Sequence, residues 1–529
     1  MRRRTFLGAA GLGAAGALAA PSLGRAAPTR VLKFIPQSDV TILDPIFTTA
    51  YVTRNHGYLV FDTLFGQDGN YRPTLQMLDA AVTGNDGKLW RLTLRPDLKF
   101  HDGSPVLAKD CVASLKRWMK RDAFAGALAE VTDDLSAADD RVIVFRLRKP
   151  FPLLPDALGK TSTLMPAIMP ERLAETDAFK QVTEMVGSGP YRFKPDERMV
   201  GSRVVYERFD GYVPRASGNP DWTSGPKVAH FDRVEWLIIP DESTAAAALQ
   251  TGEADWWEYP TVDLLPLLTK NPKVRTRIPD MTGSICFARL NHLHPPFDNP
   301  DIRRALLGAV NQSDFMTAVA GPDRKMWREG VGVFCPDTPM ANDAGLDVLT
   351  GKRDMAAVRA AISAAGYQGE PATILSATDF PFRRALAEVG ADMMTRAGLK
   401  VDLQAVDWGT LVQRRESKAP VSQGGWSMII TNLAGVDLAT PAGHAFRGTG
   451  NKAWFGWPTS PKIEELRSAW LDAPDVAAQR RLCIEIQKQF WVDVPHIPVG
   501  QYYQPTAFRS DLTGMQDGFA MFWNIRRLE

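Results

Sequence analysis

Between residues 374 and 406 the chain changes its apolar period twice, and that change constrains the sheet it can build. Ile374 and Leu375 end one strand. Leu386, Val389, Met393 and Met394 then recur at helical spacing over residues 382–397. Gly398 stands where a left-handed C-cap glycine belongs. Residues 399–406 resume the two-residue alternation of a half-buried strand. Two strands joined by a helix through short connections run parallel. A parallel sheet needs cover on both faces, so the spacing predicts an α/β fold.

The same alternation recurs along the chain. Residues 89–94 and 142–147 read as strands. A helix is expected near residues 108–120, with Val112, Leu115, Trp118 and Met119 on one stripe. Asn299 before Pro300 marks a helix start, an N-cap followed by proline at the first helical position. Ile302, Ala305, Leu306, Ala309 and Val310 then repeat with helical spacing. Residues 461–491 are mostly helical and precede a last apolar strand near residues 497–503. A chain of 529 residues is too long for one hydrophobic core and predicts two or more lobes.

Residues 1–27 read as a leader. Arg3-Arg4-Thr5-Phe6-Leu7 is a twin-arginine export motif, and small residues at Gly24 and Ala26 fit a signal-peptidase site. The apolar stretch over residues 7–20 falls short of the roughly 20 residues needed to span a bilayer. No cysteine stands near the cleavage site to take a lipid. The expectation is a cleaved, exported, soluble periplasmic protein. No later run of 18 apolar residues exists.

Lys and Arg number 62 against 60 Asp and Glu, and the leader takes Arg2, Arg3, Arg4 and Arg25 with it. The balance argues against nucleic acid, which needs a basic excess, and against a strongly acidic substrate. Cys111, Cys286, Cys335 and Cys483 form no C-x-x-C pair. They read as packed thiols, with one disulfide left open and its connectivity unreadable.

Enzyme chemistry finds little support. Gly11, Gly13 and Gly16 have dinucleotide-loop spacing, but they lie inside the leader and follow no strand. There is no Walker loop, no H-E-x-x-H and no nucleophile elbow. Gly187-Ser188-Gly189 lacks the elbow's outer spacing, and Pro190-Tyr191 suits a turn entering a strand. His292 and His294 are the best metal candidates, yet no Cys or carboxylate stands at ligand spacing beside them, so they read as solvated or capping. The 14 Trp are too dispersed to stack nucleic-acid bases; Trp256-Trp257 reads as packing in a short strand. No catalytic residue, no metal site and no cofactor are expected.

Six blocks in order are more specific. Asn70-Tyr71-Arg72-Pro73, Trp90 to Arg95, Lys99-Phe100-His101-Asp102-Gly103-Ser104-Pro105-Val106, Ala108-Lys109-Asp110 and Ser114-Leu115-Lys116-Arg117 form the first. Leu43-Asp44-Pro45, Gly187 to Tyr191, Ala248-Leu249-Gln250 with Gly252 to Asp255, Asn291 with Pro296 to Asn299, and Gly398 to Trp408 complete the set. Together they resemble the family-5 bacterial extracellular solute-binding proteins, the peptide- and nickel-binding components of ABC importers. Many of these glycines, prolines and caps also have a sufficient structural reading.

The resemblance implies a two-lobe periplasmic-binding-protein fold of class II, large peptide-binder type, with an extra subdomain on lobe I. Lobe I would take residues 28–72, 187–280 and a return at 495–529. The inserted subdomain would take 73–186 and lobe II 281–494. It also implies a monomer that binds a small solute, most of all a short peptide, by cleft closure and delivers it to a cognate permease in the inner membrane.

Peptide receptors of the family hold the ligand's ammonium with an Asp that follows a Trp in lobe II. Trp408, after Val406-Asp407, matches one family cleft Trp. In the Trp-x-x-Asp register, Leu433 replaces the Trp and Val436 the Asp, and Asp437 comes one residue late. Asp437 is the sole carboxylate within ten residues on either side. It follows a strand in a loop containing Gly435, at the edge where open α/β sheets bind ligands. Its other reading is an N-cap for a helix beginning near Thr440. Thr49, Tyr51, Arg383 and Tyr502 complete the candidate ligand-binding set. The shifted Asp keeps other solutes open: an opine, a sugar derivative or an aromatic acid. A metal- or haem-binding receptor using His292 or His294 is a further alternative, and a secreted hydrolase would need a nucleophile–base pair that the sequence does not show.

Overall fold

A computed structural model describes residues 30–528. The leader expected over residues 1–27 lies outside the described residues.

The first lobe is built on a seven-stranded mixed sheet. Its order is Val274–Arg277, Thr506–Arg509, Trp256–Trp257, Val31–Ile35, Arg233–Leu237, Arg203–Arg208, Tyr191–Phe193. Val31–Ile35 runs parallel to both neighbours. The core here is aromatic: the Phe34 ring meets Trp256 at 4.7 Å and Phe522 at 4.9 Å, both edge-on. Trp256 and Trp257 are buried packing residues. Helix α1 (Tyr51–Val60) has no capping side chain, and nine of its ten residues are buried. Tertiary packing rather than propensity therefore holds it.

A four-stranded antiparallel sheet, Leu78–Gly84, Leu89–Leu94, Val142–Leu147 and Thr132–Ala137, forms a separate layer. Two of the sequence blocks anchor it to the first lobe. Arg117 donates to the buried Asp44 carboxylate at 2.7 Å. The ring of His101 sits 3.0 Å from the Gly189 carbonyl. A Cβ on Gly187 would lie 2.1 Å from the Val60 carbonyl oxygen, so only glycine permits that approach.

The second lobe carries a six-stranded sheet. Its strands include β1 (Ser284–Leu290), β2 (Pro371–Ala377), β3 (Lys400–Val406), β4 (Met428–Ala434) and β5 (His496–Tyr502). The order is Trp327–Arg328, β5, β1, β4, β2, β3. β2 runs parallel to β3 and β4, and helix α2 (Pro381–Arg396) makes the expected crossover. Gly398 takes the left-handed conformation at φ 93°. The sheet is mixed, because β1 pairs antiparallel with β4 and β5. Cover on both faces holds for β2 and β4; β3 is an edge strand with Leu403 exposed.

The return to the first lobe does not begin at residue 495. β5 pairs with β1 and belongs to the second sheet, so the chain crosses back between Tyr502 and Thr506. Every residue of β5 is buried, and an apolar strand of this kind does not announce which sheet will bury it. The outgoing crossing, residues 278–283, lies beside it: Ser284 pairs with Tyr502, and Gly283 at φ 55° would place a Cβ 2.5 Å from the Tyr502 carbonyl. All four cysteines are buried and free, so the disulfide left open by the sequence is not formed. Among the described residues no helix is long and apolar enough to cross a membrane.

Candidate functional site

Three parallel strands end at one edge of the second sheet, and a candidate residue follows each. Arg383 follows β2, Trp408 follows β3 and Asp437 follows β4. Tyr502 ends β5 at the same edge, since Ser284 pairs with both Ala434 and Tyr502. Parallel pairing aligns the C-terminal ends, so sequence-distant residues meet there.

Asp437 lies in a single 3-10 turn, Gly435–Leu438. It is not a helix N-cap; no helix begins near Thr440. Instead it faces the first lobe. The Tyr51 hydroxyl, at the start of α1, donates to Asp437 Oδ2 at 2.5 Å and accepts from the Ala434 amide at 2.6 Å. That amide fixes the direction of the hydroxyl proton, because an N–H can only donate. Asp437 Oδ1 is shielded from solvent and has no partner. Burial raises the Asp437 pKa above the ordinary carboxylate range, while the Tyr51 hydrogen bond, the fields of Arg54 and Lys160 and the nearby Ser162 hydroxyl oppose the rise. Burial, and then the Asp437 charge, push the Tyr51 hydroxyl well up, so it stays protonated as the donor.

Arg54 stands one turn along α1 and is buried. Its guanidinium lies 4.0 Å from the Phe519 ring centroid and 4.9 Å from that of Tyr51. It hydrogen-bonds the Asn55 side chain. Thr49 is half-buried in the loop entering α1 and makes none of these contacts.

Arg383 occupies the first turn of α2, which Pro381 opens. Its guanidinium carbon sits 3.6 Å from the Trp408 ring centroid and 5.2 Å from those of Phe380 and Phe382. Nη2 reaches Asn432 Oδ1 at 3.4 Å, while Nε and Nη1 are shielded and unpartnered. Trp408 opens helix α3 (Trp408–Arg414), with Asp407 as N-cap and its own amide held by Asp379 at 2.9 Å. The indole is half-buried, packed 5.5 Å from Phe380. Arg415, just past α3, lies 4.4 Å from the Phe455 ring and 5.8 Å from Trp408. Burial lowers both Arg383 and Arg415 to about 10, which leaves them charged at neutral pH. The Tyr502 ring is 6.1 Å from Phe382 and buried.

The structure thus joins Tyr51 to Asp437 across the two lobes and gathers Arg383, Trp408 and Tyr502 at the same edge of the second sheet. Arg54, Asn432 and Arg415 were not legible as site residues. Arg54 had one signal, its i+3 spacing from Tyr51 on one helix face. His292 and His294 stand apart: His292 is half-buried, and the His294 ring meets the Lys418 carbonyl at 2.8 Å. Among the described residues, no group of three His, Cys, Asp or Glu could hold a metal ion.

A mixed two-lobe α/β architecture with charged side chains buried at its seam defines a receptor for a small solute. Residues 73–448 match the family model described as bacterial extracellular solute-binding proteins, family 5 Middle, and the chain belongs to that family. It is 34% identical over 526 residues to a probable peptide ABC transporter periplasmic-binding protein, y4tO, of Sinorhizobium fredii, covering 98% of each chain. It is similar in fold to the periplasmic binding protein AgaA of A. tumefaciens R10, solved with agropinic acid. That match has a TM-score of 0.78 and 19% identity and covers 94% of this chain and 99% of the other. Helicobacter pylori DppA, solved with the peptide STSA, matches with a TM-score of 0.77 and 19% identity over 94% and 98% of the two chains.

Proposed function

We propose that the protein is an exported, monomeric receptor that captures a short peptide or peptide-like compound and hands it to an ABC permease. Lobe I takes residues up to 72, 187–280 and the return after Tyr502. The inserted subdomain takes 73–186, and lobe II the remainder. The observation that carries the reading is a pair of half-buried, opposite charges whose shielded atoms lack partners. Asp437 Oδ1 lacks a donor, and Arg383 Nε and Nη1 lack an acceptor. Buried charges are costly unless paired, so opposite unpaired charges call for a zwitterion. The ligand's ammonium meets Asp437 and its carboxylate meets Arg383, with Trp408 and Tyr502 covering the apolar middle. The names of the relatives support a peptide-like ligand.

Closure follows from the same geometry. Tyr51 reaches from lobe I to a carboxylate and an amide of lobe II, so ligand charge and lobe contact converge on one side chain. Closure is driven only by the ligand's differential affinity for the two forms. The adjacent crossings at 278–283 and 503–505 form the hinge.

A thermal-shift screen of di- to pentapeptides, opines and amino acids tests the ligand class, with scattering on the best binder. A peptide should raise the melting temperature by mass action and shrink the radius of gyration. If peptides leave the melting temperature unchanged while another solute class raises it, the peptide reading is overturned.

A further inference from the structure

Two arginines share one corner of the cleft, and no acid answers them. Among the described residues neither Arg383 nor Arg415 has a carboxylate within 4 Å, whereas many surface arginines do. Arg54 differs, since its field falls on Asp437, Asp280 and Glu258. The groups acting on Arg383 are Tyr502, Cys286, Tyr51 and Arg415, of which only Arg415 carries charge, and of the same sign. The one acid acting on Arg415 is its exposed neighbour Glu416. Arg415 Nε, like Arg383 Nε and Nη1, is shielded and unpartnered.

Two like charges at one half-buried ring repel each other unless an anion joins them. Different surfaces hold the two guanidinium groups: Arg383 lies on Trp408, Arg415 chiefly on Phe455. Arg383 keeps Nε and Nη1 free, and either can donate to an oxygen of one carboxylate. Arg415 is then surplus to a simple peptide terminus.

Resting on the peptide reading above, we infer that this corner takes two carboxylates. The favoured ligand is a peptide with an acidic residue at or beside its C-terminus, so that the side-chain carboxylate meets Arg415 while the chain end meets Arg383. The chain's near-zero net charge does not oppose this, because two unpaired arginines in a low-dielectric corner set the local field.

Calorimetric titration of the leader-free protein with Ala-Glu and Ala-Gln, and with Ala-Ala-Glu and Ala-Ala-Gln, isolates one charge at nearly constant shape. The acidic peptide should bind at least about tenfold more tightly in one of the pairs, the range of a charge-assisted hydrogen bond. Arg415→Gln should abolish that difference; Arg415→Lys should retain part of it. Melting of each ligand-free variant confirms folding. Equal binding of Glu and Gln peptides by the native protein, or a preference that survives Arg415→Gln, overturns the inference and spares the peptide reading. If no peptide in the wider screen binds, both fall.

Discussion

Asp437 sits in the second lobe at a cost that only a partner recovers. Burial holds its pKa up, so the carboxylate destabilises the ligand-free fold progressively as pH rises from the unfolded-state value through the raised folded one. A cationic ligand needs the ionised form, so its affinity should be lost as pH falls through that raised value. Asp437→Asn should weaken a peptide with a free ammonium by about 2–5 kcal/mol. It should leave ligand-free melting at neutral pH unchanged or higher, and it should flatten the pH dependence of binding. Calorimetry across pH checks this, and undiminished affinity in the variant would remove Asp437 from the site. Asp437 could be found in the sequence because it has no acidic neighbour for ten residues. Arg54 and Arg415 could not, because an arginine on a helix or just past its end usually faces solvent.

The turn Gly435–Leu438 is the element that aims Asp437, and its first residue explains its position. A Cβ at Gly435 would fall 2.0 Å from the Thr282 carbonyl oxygen and 2.6 Å from the Cys335 sulfur. The turn is therefore pressed against the outgoing crossing, and the Gly435 amide donates to the Gly283 carbonyl at 2.8 Å. Gly435→Ala should cost roughly 1–3 kcal/mol of stability by overpacking. It should weaken ligand together with the fold, unlike Asp437→Asn. Denaturant unfolding beside a binding isotherm separates the two; a variant as stable as the parent with full affinity would show that the turn does not set the site. β4 and the loop after it were legible in the sequence, since the apolar run ends at a glycine. The press against Thr282 was not, because the contact joins residues more than 150 positions apart.

At the scale of the whole molecule, two mixed sheets share two adjacent crossings, and Tyr51 spans the gap between them. A receptor that works outside the cytoplasm must first leave it. We propose export by the twin-arginine route, on the reading of Arg3-Arg4 ahead of Phe6-Leu7. Replacing both arginines with lysine should leave the precursor in the cytoplasm, as fractionation and blotting would show. Normal periplasmic yield from a strain lacking that translocase would refute the assignment.

Local patterns sufficed for the βαβ unit, the glycine at its C-cap, the helix start at Asn299 and the family's ordered blocks, because each depends on residues a few positions apart. Those same patterns could not decide which sheet buries β5. An apolar strand fits beside any open partner, and only the register of Ser284 against Tyr502 places it in the second lobe. Nor could they show that Asp437 meets a tyrosine hydroxyl 386 positions away, or that Arg383 and Arg415 share one indole. Burial and charge pairing are properties of the folded assembly: the sequence supplies the charges, and tertiary packing alone decides which of them are left without a partner.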